Sequence, residues 1–445
     1  MRIDAERLVH GACTALALLL SMAIIAMIPA IRSAGTLDTD GWFLLASGRE
    51  VVESGIPTTN PFTAVEGQGI VLQQWLHDAL LYLCWKVAGY TGVAVSVAIP
   101  AALALCTYTG AVCRLARVPR YPWVPLLIGA VGFTLMASYL SIRPSIWTAA
   151  LLFVAISICL EWRRSANPRC LLALPIVSLL SVTLQAALGP LPAAAAACFL
   201  LPEKGEISTQ ATAETLRAWW RSRLPLLAAV AGMAAESLVN PYCIDGSLYV
   251  LRSLGAASYG GVILELNPVW VMPAAALFWG ASIIVAFISC VLARRFPPRW
   301  LLAFWAASAI AGALAIRCLW ITWTVSFLVV AASVGQSDAI SPRVHRLLIA
   351  ERAVMVLVLA FSVINSGLNS LDSITRGVET GWRDIDSDMA QIVETLGDDP
   401  GPIWSEDATV MNYLEWAKVP VTYDMRPEIW SEAISGTGKA NDYRA

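Results

Sequence analysis

The residues best suited to chemistry are charged side chains next to long apolar runs. Asp38 and Asp40 follow the first run, and Arg143 and Arg317 each lie at the end of a later one. A carboxylate can accept a proton, and an arginine can hold a phosphate or pyrophosphate through paired hydrogen bonds. Each residue also has a structural interpretation, since Asp40 can cap a helix and the arginines can extend to lipid headgroups. The residue types alone leave both roles open.

The composition decides where such chemistry would take place. The chain has 445 residues, of which 58% are hydrophobic and 14% charged, whereas a soluble domain is about 45–50% apolar and about 25% charged. The mean hydropathy is +0.66. These values exclude a soluble enzyme, a disordered protein and a nucleic-acid-binding protein, and they predict a membrane protein with many spans. The chain also has no phosphate-binding loop, dinucleotide fingerprint, zinc-protease motif or nucleophile elbow, which argues against an ATP-driven pump.

Apolar runs of about 20 residues are long enough to cross a bilayer. Eleven runs in the sequence are candidates, and the one at 190–202 is the shortest, with two prolines that would suit a re-entrant or tilted segment. The runs are 11–31, 93–113, 122–141, 145–162, 170–188, 190–202, 224–241, 269–293, 300–316, 318–335 and 353–371.

The charges of the connections support this count. With the N-terminus in the cytoplasm, the inner connections hold 18 basic residues and the outer connections before residue 372 hold six. This is the positive-inside bias of membrane proteins. We therefore predict a multi-pass protein of a bacterial inner membrane with a cytoplasmic N-terminus, a retained first span and an extracytoplasmic C-terminus.

Two parts of the chain differ in charge. Residues 1–371 form the predicted transmembrane domain, and residues 372–445 carry 15 acidic and 6 basic residues, a net charge of −9. The tail has helical apolar spacing in 384–396 and a strand-like run at 419–423. It predicts a small α/β appendage on the outer face that leans on the membrane domain because it is short for an independent core.

The first outer loop, 33–92, is too long for a simple connection. Its sequence predicts one helix from 41 to 54, ended by a glycine and a proline, and a second amphipathic helix in 73–89. The spacing of Trp42 and Leu45 would let the first helix face the bilayer. Two interfacial helices would then flank an irregular loop.

Four short motifs are all predicted on the outer side of the membrane. In chain order they are Asp38-Thr39-Asp40-Gly41-Trp42, Arg143-Pro144, Asn240-Pro241-Tyr242 and Asp424-Met425-Arg426. This pattern resembles the GT-C superfamily, which comprises polytopic glycosyltransferases that use polyprenyl-phosphate sugars, such as protein mannosyltransferases and lipid A aminoarabinose transferases. The chain departs from some relatives in its Gln73-Gln74-Trp75 segment, where they often carry a His before Glu-Trp, and in having no Lys between 33 and 85.

The resemblance implies an all-α membrane domain and an inverting transfer from a polyprenyl-phosphate sugar to a glycan, lipid or protein outside the cytoplasm. Asp40 matches the family's catalytic aspartate best, by its spacing to the Arg49-Glu50 pair, and Asp38 is second. Some members use a divalent cation, but two carboxylates are too few to predict a metal site. The candidate substrate-binding residues are Arg143, Arg317, Arg49, Gln74, His77 and Glu265.

Two other functions remain open at this point. A transporter or lipid flippase would usually have internal repeats and charged residues near the middle of its spans. This sequence has no convincing repeat, and its unusual charges lie at the outer edges. An inactive scaffold that keeps the architecture and partners an active enzyme is the other alternative, because His77 is displaced from the family position and the lysine is missing.

Overall fold

A computed structural model describes most of the chain as a bundle of helices. The described residues are 40–116, 123–139, 142–206, 212–236, 239–243, 245, 264–294, 296–334, 378–397, 400–422 and 424. Within them there are helices but no strands. The helices are α1 Gly41–Glu53, α2 Trp75–Ala116, α3 Trp123–Tyr139, α4 Ser145–Ser165, α5 Ala173–Leu184, α6 Leu191–Cys198, α7 Ala213–Glu236, α8 Pro273–Ala293, α9 Arg299–Leu314, α10 Leu319–Val334, α11 Val378–Leu396 and α12 Ala408–Trp416.

Four described segments are long and apolar enough to cross a membrane, namely α2, α4, α8 and the stretch Ile316–Ser333 that includes most of α10. By length and composition, these four helices fit a helical membrane protein with several spans. Helix α6 has only eight residues, about 12 Å at 1.5 Å per residue, and is much shorter than a bilayer core. The predicted runs 11–31 and 353–371 lie outside the described residues.

The first outer loop contains the two predicted helices. Helix α1 begins directly after Asp40 and ends before Gly55, as the sequence predicts. Helix α2 kinks at Ala88 and Gly89, where Gly89 has φ +57, a left-handed conformation that glycine adopts at little cost. The kink separates the loop helix from the membrane-spanning part of α2, close to the predicted boundary.

Two helices connect the ends of the bundle. Helix α4 has 21 residues, about 30 Å at 1.5 Å per residue, which equals the thickness of a bilayer core. Arg143 lies just before its first residue and Arg163 lies in its last turn. Helix α9 begins at Arg299, whose backbone N–H donates to Glu203 beside Arg163, and Arg317 lies just beyond its other end. Residues predicted on the same side of the membrane thus lie at the same end of the bundle.

The described part of the tail packs on the first outer loop. Trp416 of α12 contacts the rings of Trp42, Tyr82 and Trp85, with centroids 4.8–6.3 Å apart. Trp42 is 1% exposed and Leu45 is completely buried. The prediction that these two side chains face the bilayer is therefore wrong, because the tail and α2 cover the apolar side of α1.

The predicted strand of the tail is not present in the described residues. Val421 forms only isolated parallel bridges to Thr63 and Ile403. Pro420 precedes it and has no N–H to extend a ladder. The described part of the tail has α11, α12 and an extended stretch held against the first outer loop, and an α/β appendage stays a prediction.

Candidate functional site

The backbone before α4 determines where Arg143 lies. Pro144 starts the helix, and its carbonyl oxygen accepts the N–H of Trp147 at 3.0 Å. Ile142 is 1% exposed, and its carbonyl oxygen accepts a hydrogen bond from His77 Nε2 at 2.7 Å. Arg143 is therefore held between a buried residue and a helix start.

Four charged residues from four separate segments meet at this point, and we call them the Arg143 cluster: Asp40, Arg143, Glu265 and Arg317. Arg143 Nη2 lies 3.0 Å from Asp40 Oδ2, and Arg143 Nη1 lies 2.8 Å from Glu265 Oε1. Arg317 Nη2 lies 3.5 Å from Glu265 Oε2. All four residues are candidates from the sequence, and the fold brings them into one chain of ion pairs.

The Arg143 cluster is open to the surroundings. The side chains of Asp40 and Glu265 are both 43% exposed, and those of Arg143 and Arg317 are 31% and 38% exposed. The formal charges of two acids and two arginines cancel. An incoming phosphate would compete with the two carboxylates for the arginines, and would leave a carboxylate available as a base close to it.

Asp40 precedes α1 but does not cap it. Its backbone conformation is helical and its side chain makes no capping hydrogen bond; the side chain pairs with Arg143 instead. Helix α1 is held against α2 at Gly48, where an added Cβ would lie 2.0 Å from the carbonyl oxygen of Asp78. This close approach of the two helices depends on glycine, which has no side chain at that point.

Arg49 lies away from the Arg143 cluster. It donates to the carbonyl oxygens of Trp416 at 2.6 Å and Glu415 at 3.2 Å, and its guanidinium lies 4.7 Å from the centroid of the Trp416 ring. These carbonyls end α12, where a cation is favoured by the helix dipole. Burial lowers the pKa of Arg49, although nearby Glu53 opposes this. Arg49 attaches the tail to α1.

Two of the three remaining candidates from the sequence have contacts of other kinds, and the third is not described. His77 is 3% exposed, and the bond to Ile142 makes it a support for the turn that carries Arg143. Gln74 is half-buried, and its backbone carbonyl accepts the N–H of Asp78 in the first turn of α2. Asp38 lies outside the described residues.

The two later motifs hold the outer segments together. The side chain of Asn240 accepts the N–H of Tyr242 at 3.0 Å, and the Tyr242 hydroxyl donates to the Pro57 carbonyl in the first loop at 2.8 Å. Asp424 is 1% exposed and accepts a hydrogen bond from Asn60 at 3.3 Å. Arg426 lies outside the described residues. The motif residues that the structure describes here thus make contacts that shape the first loop.

Sequence reasoning missed one polar group near the Arg143 cluster. Thr148, in the first turn of α4, donates to Gln185 Oε1 at 2.6 Å. The Ala186 N–H donates to the carbonyl of Gln73 at 2.8 Å. Polar residues within the apolar runs 145–162 and 170–188 were the signal that could have identified this group.

No group of three or more His, Cys, Asp or Glu side chains in the described residues could hold a metal ion. No family model and no curated protein matches the chain. The Arg143 cluster and the order of the four motifs are therefore the features that bear on function.

Proposed function

We propose that the protein is a membrane glycosyltransferase of the GT-C type. It transfers a sugar from a polyprenyl-phosphate donor to a glycan, lipid or protein acceptor outside the cytoplasm. The observation that carries this proposal is the 3.0 Å pair of Asp40 and Arg143, which joins two motif residues of the resemblance. Glu265 pairs with both Arg143 and Arg317. Arg317 is therefore a second cation at the same place.

The topology of the proposal follows the charge bias of the connections. The chain crosses the membrane eleven times, with the N-terminus in the cytoplasm and the C-terminus outside. The Arg143 cluster then lies at the outer edge of the bilayer, at the depth where the phosphate of a polyprenyl lipid lies. The donor would reach the cluster from the outer leaflet.

In the proposed reaction, the acceptor oxygen forms a bond to the anomeric carbon of the sugar on the face opposite the phosphate. The bond between that carbon and the phosphate oxygen breaks, and its electron pair leaves with the polyprenyl phosphate. Arg143 and Arg317 stabilise the charge on the departing phosphate. The acceptor proton passes to Asp40 as general base. Attack from the opposite face inverts the anomeric configuration.

The test is donor turnover by the protein in lipid nanodiscs. A panel of polyprenyl-phosphate sugars is offered with crude envelope acceptors, and release of free polyprenyl phosphate is measured. We expect Asp40→Asn to lower the rate about 100-fold or more, as loss of a general base does. Asp388→Asn is the matched control, because Asp388 is an exposed aspartate of α11.

Three results would count against parts of the proposal. Release at the wild-type rate by Asp40→Asn would overturn the base assignment and make Asp38 the next residue to test. Equal loss in Asp388→Asn would show that the effect is not specific to the Arg143 cluster. No release from any donor by the wild-type protein would favour the transporter and scaffold alternatives.

A further inference from the structure

Uncharged polar side chains lie in the first turn of α4, at the end of α5 and just before α2. We call Gln73, Thr148, Ser181 and Gln185 the amide cluster. Thr148 of α4 donates to Gln185 Oε1 at 2.6 Å. Ser181 lies in the last turn of α5, and Gln185 directly follows that helix, where its backbone N–H donates to the Ser181 backbone carbonyl at 2.9 Å. The Ala186 N–H, next to Gln185, fixes the backbone of Gln73.

Two atoms of the amide cluster have no hydrogen-bond partner in the described residues. Gln73 Oε1 and Ser181 Oγ are buried and unpaired there. Ser181 is completely buried, and a serine in a helix can usually bond to a carbonyl one turn earlier. Most buried polar atoms in native proteins are paired, because an unpaired one loses its hydration without compensation. These two atoms are therefore suited to a ligand that brings its own hydroxyl groups.

The chemistry of the amide cluster selects the class of ligand. Amide and hydroxyl groups offer both donors and acceptors and carry no charge, which matches a sugar ring rather than a phosphate or an acyl chain. Gln73 and Gln185 are only half-buried, so the amide cluster is not closed off completely. Thr148 lies in the first turn of α4 and Arg143 lies just before that helix. Thr148 follows Arg143 by five residues, about 7.5 Å of helix at 1.5 Å per residue, so we take the amide cluster to be within reach of a sugar attached to a phosphate at Arg143.

We propose that the amide cluster binds the hydroxyl groups of the sugar carried by the donor lipid. This inference rests on the proposed function, because it takes Arg143 as the phosphate site. It adds a set of residues that selects the sugar. Ser181 and Gln73 would complete their hydrogen bonds only when a sugar-bearing lipid is bound.

The test compares a bare lipid with two sugar-bearing lipids on the full-length protein in nanodiscs. Native mass spectrometry measures the affinity for bare polyprenyl phosphate and for polyprenyl-phosphate glucose and polyprenyl-phosphate mannose. We expect the wild-type protein to bind at least one sugar-bearing lipid more tightly than the bare lipid. Ser181→Ala should reduce that preference about fivefold, the usual value of one hydrogen bond, and leave binding of the bare lipid unchanged.

Ser178→Ala is the matched control. Ser178 lies one turn earlier on α5, and its hydroxyl already donates to the carbonyl of Met233 at 3.1 Å. The control should leave the sugar preference unchanged. Ser181→Ala loses no described side-chain hydrogen bond, so its thermal unfolding should match that of the wild type. Gln185→Leu is a second variant that should independently lose the preference for the sugar-bearing lipid.

The outcomes separate this inference from the proposed function. Loss of preference in Ser181→Ala and Gln185→Leu supports the sugar site, even if the wild type shows no transfer, in which case only the transferase proposal fails. An unchanged preference in both variants overturns the sugar site, even if transfer depends on Asp40; the amide cluster then holds water only. Equal binding of the free sugars, with the same dependence on Ser181, overturns the assignment to the donor.

Discussion

Two clusters of arginines and acids lie at opposite ends of α4, and they differ in how they are surrounded. In the second, which we call the Arg163 cluster, Arg163 pairs with Glu203 and Arg223 pairs with Glu206. Arg163 also donates to the carbonyls of Phe199 and Leu201. The arginine side chains are 16% and 7% exposed there, against 31% and 38% in the Arg143 cluster.

Aromatic rings increase the difference. The guanidinium of Arg223 lies 5.3 Å from the ring centroid of Trp162 and 5.7 Å from that of Trp219. Glu206 accepts hydrogen bonds from Arg223 and Trp219; burial alone would raise its pKa, but these bonds outweigh it and lower the pKa. The Arg163 cluster is thus more enclosed by the protein than the Arg143 cluster, although the Nε atoms of Arg163 and Arg223 have no hydrogen-bond partner among the described residues.

The difference indicates what each cluster contributes. Exposed ion pairs add about 0–1 kcal/mol to stability, so the Arg143 cluster does little to hold the fold together. A buried pair that loses one member leaves an unpaired charge and is costly. We therefore expect changes in the Arg163 cluster to affect folding, and changes in the Arg143 cluster to affect ligand binding and catalysis.

The largest expected effect is that of Arg143→Gln on transfer. Removing a group that stabilises the leaving phosphate should lower turnover about 100- to 1,000-fold, while the temperature of unfolding stays close to that of the wild type. The turnover of Arg143→Lys should lie between those of the wild type and Arg143→Gln, because lysine keeps the charge but loses the paired hydrogen bonds. Turnover and thermal unfolding on the same samples would check this, and a large loss of stability in Arg143→Gln would contradict the comparison.

For Arg163→Gln we expect the opposite result, a loss of stability with little change in turnover. Glu203 would lose its ion-pair partner, and we expect a loss of roughly 3 kcal/mol of stability. Thermal unfolding in detergent would measure the loss, and the protein that remains folded should transfer sugar at the wild-type rate. Arg164→Gln is the matched control, since its side chain is 81% exposed. Wild-type stability in Arg163→Gln would remove the distinction between the two clusters.

The smallest effect concerns the attachment of the tail next to the Arg143 cluster. The Tyr413 hydroxyl donates to Asp386 at 2.8 Å, and burial together with this carboxylate raises the pKa of Tyr413 well above its usual 10.0. The neutral phenol therefore stabilises the fold below about pH 10, and this contribution is lost as the pH rises further. Tryptophan fluorescence across this range should report release of the tail, and Tyr413→Phe should lose less stability at high pH than the wild type.

Local sequence signals predicted the elements that carry the Arg143 cluster. The glycine and the proline that follow residue 54 predicted the end of α1. The apolar runs predicted the positions of most of the spanning helices. Arg143 and Arg317 stood out because they depart from the charge bias of the connections. These two arginines lie in one cluster with Asp40 and Glu265, as expected if all four residues lie on the same side of the membrane.

The sequence could not predict what covers each surface. The apolar side of α1 was predicted to face lipid because periodicity shows that a face is apolar, but not which segment packs on it. Arg49 and His77 were candidates for substrate binding by residue type and position. In the structure, Arg49 contacts Trp416 and His77 contacts Ile142. These partners are distant in sequence, and no local pattern predicts such contacts.

The attachment of Trp416 sets an order of assembly during synthesis. Arg49 and Trp416 are 367 residues apart, so the ribosome releases the first loop long before the residue that closes over Trp42 exists. Until then the nascent chain has an open aromatic surface at Trp42, Tyr82 and Trp85. Maturation of the first loop must therefore wait for synthesis of α12, and a chain truncated before residue 408 would keep this surface uncovered.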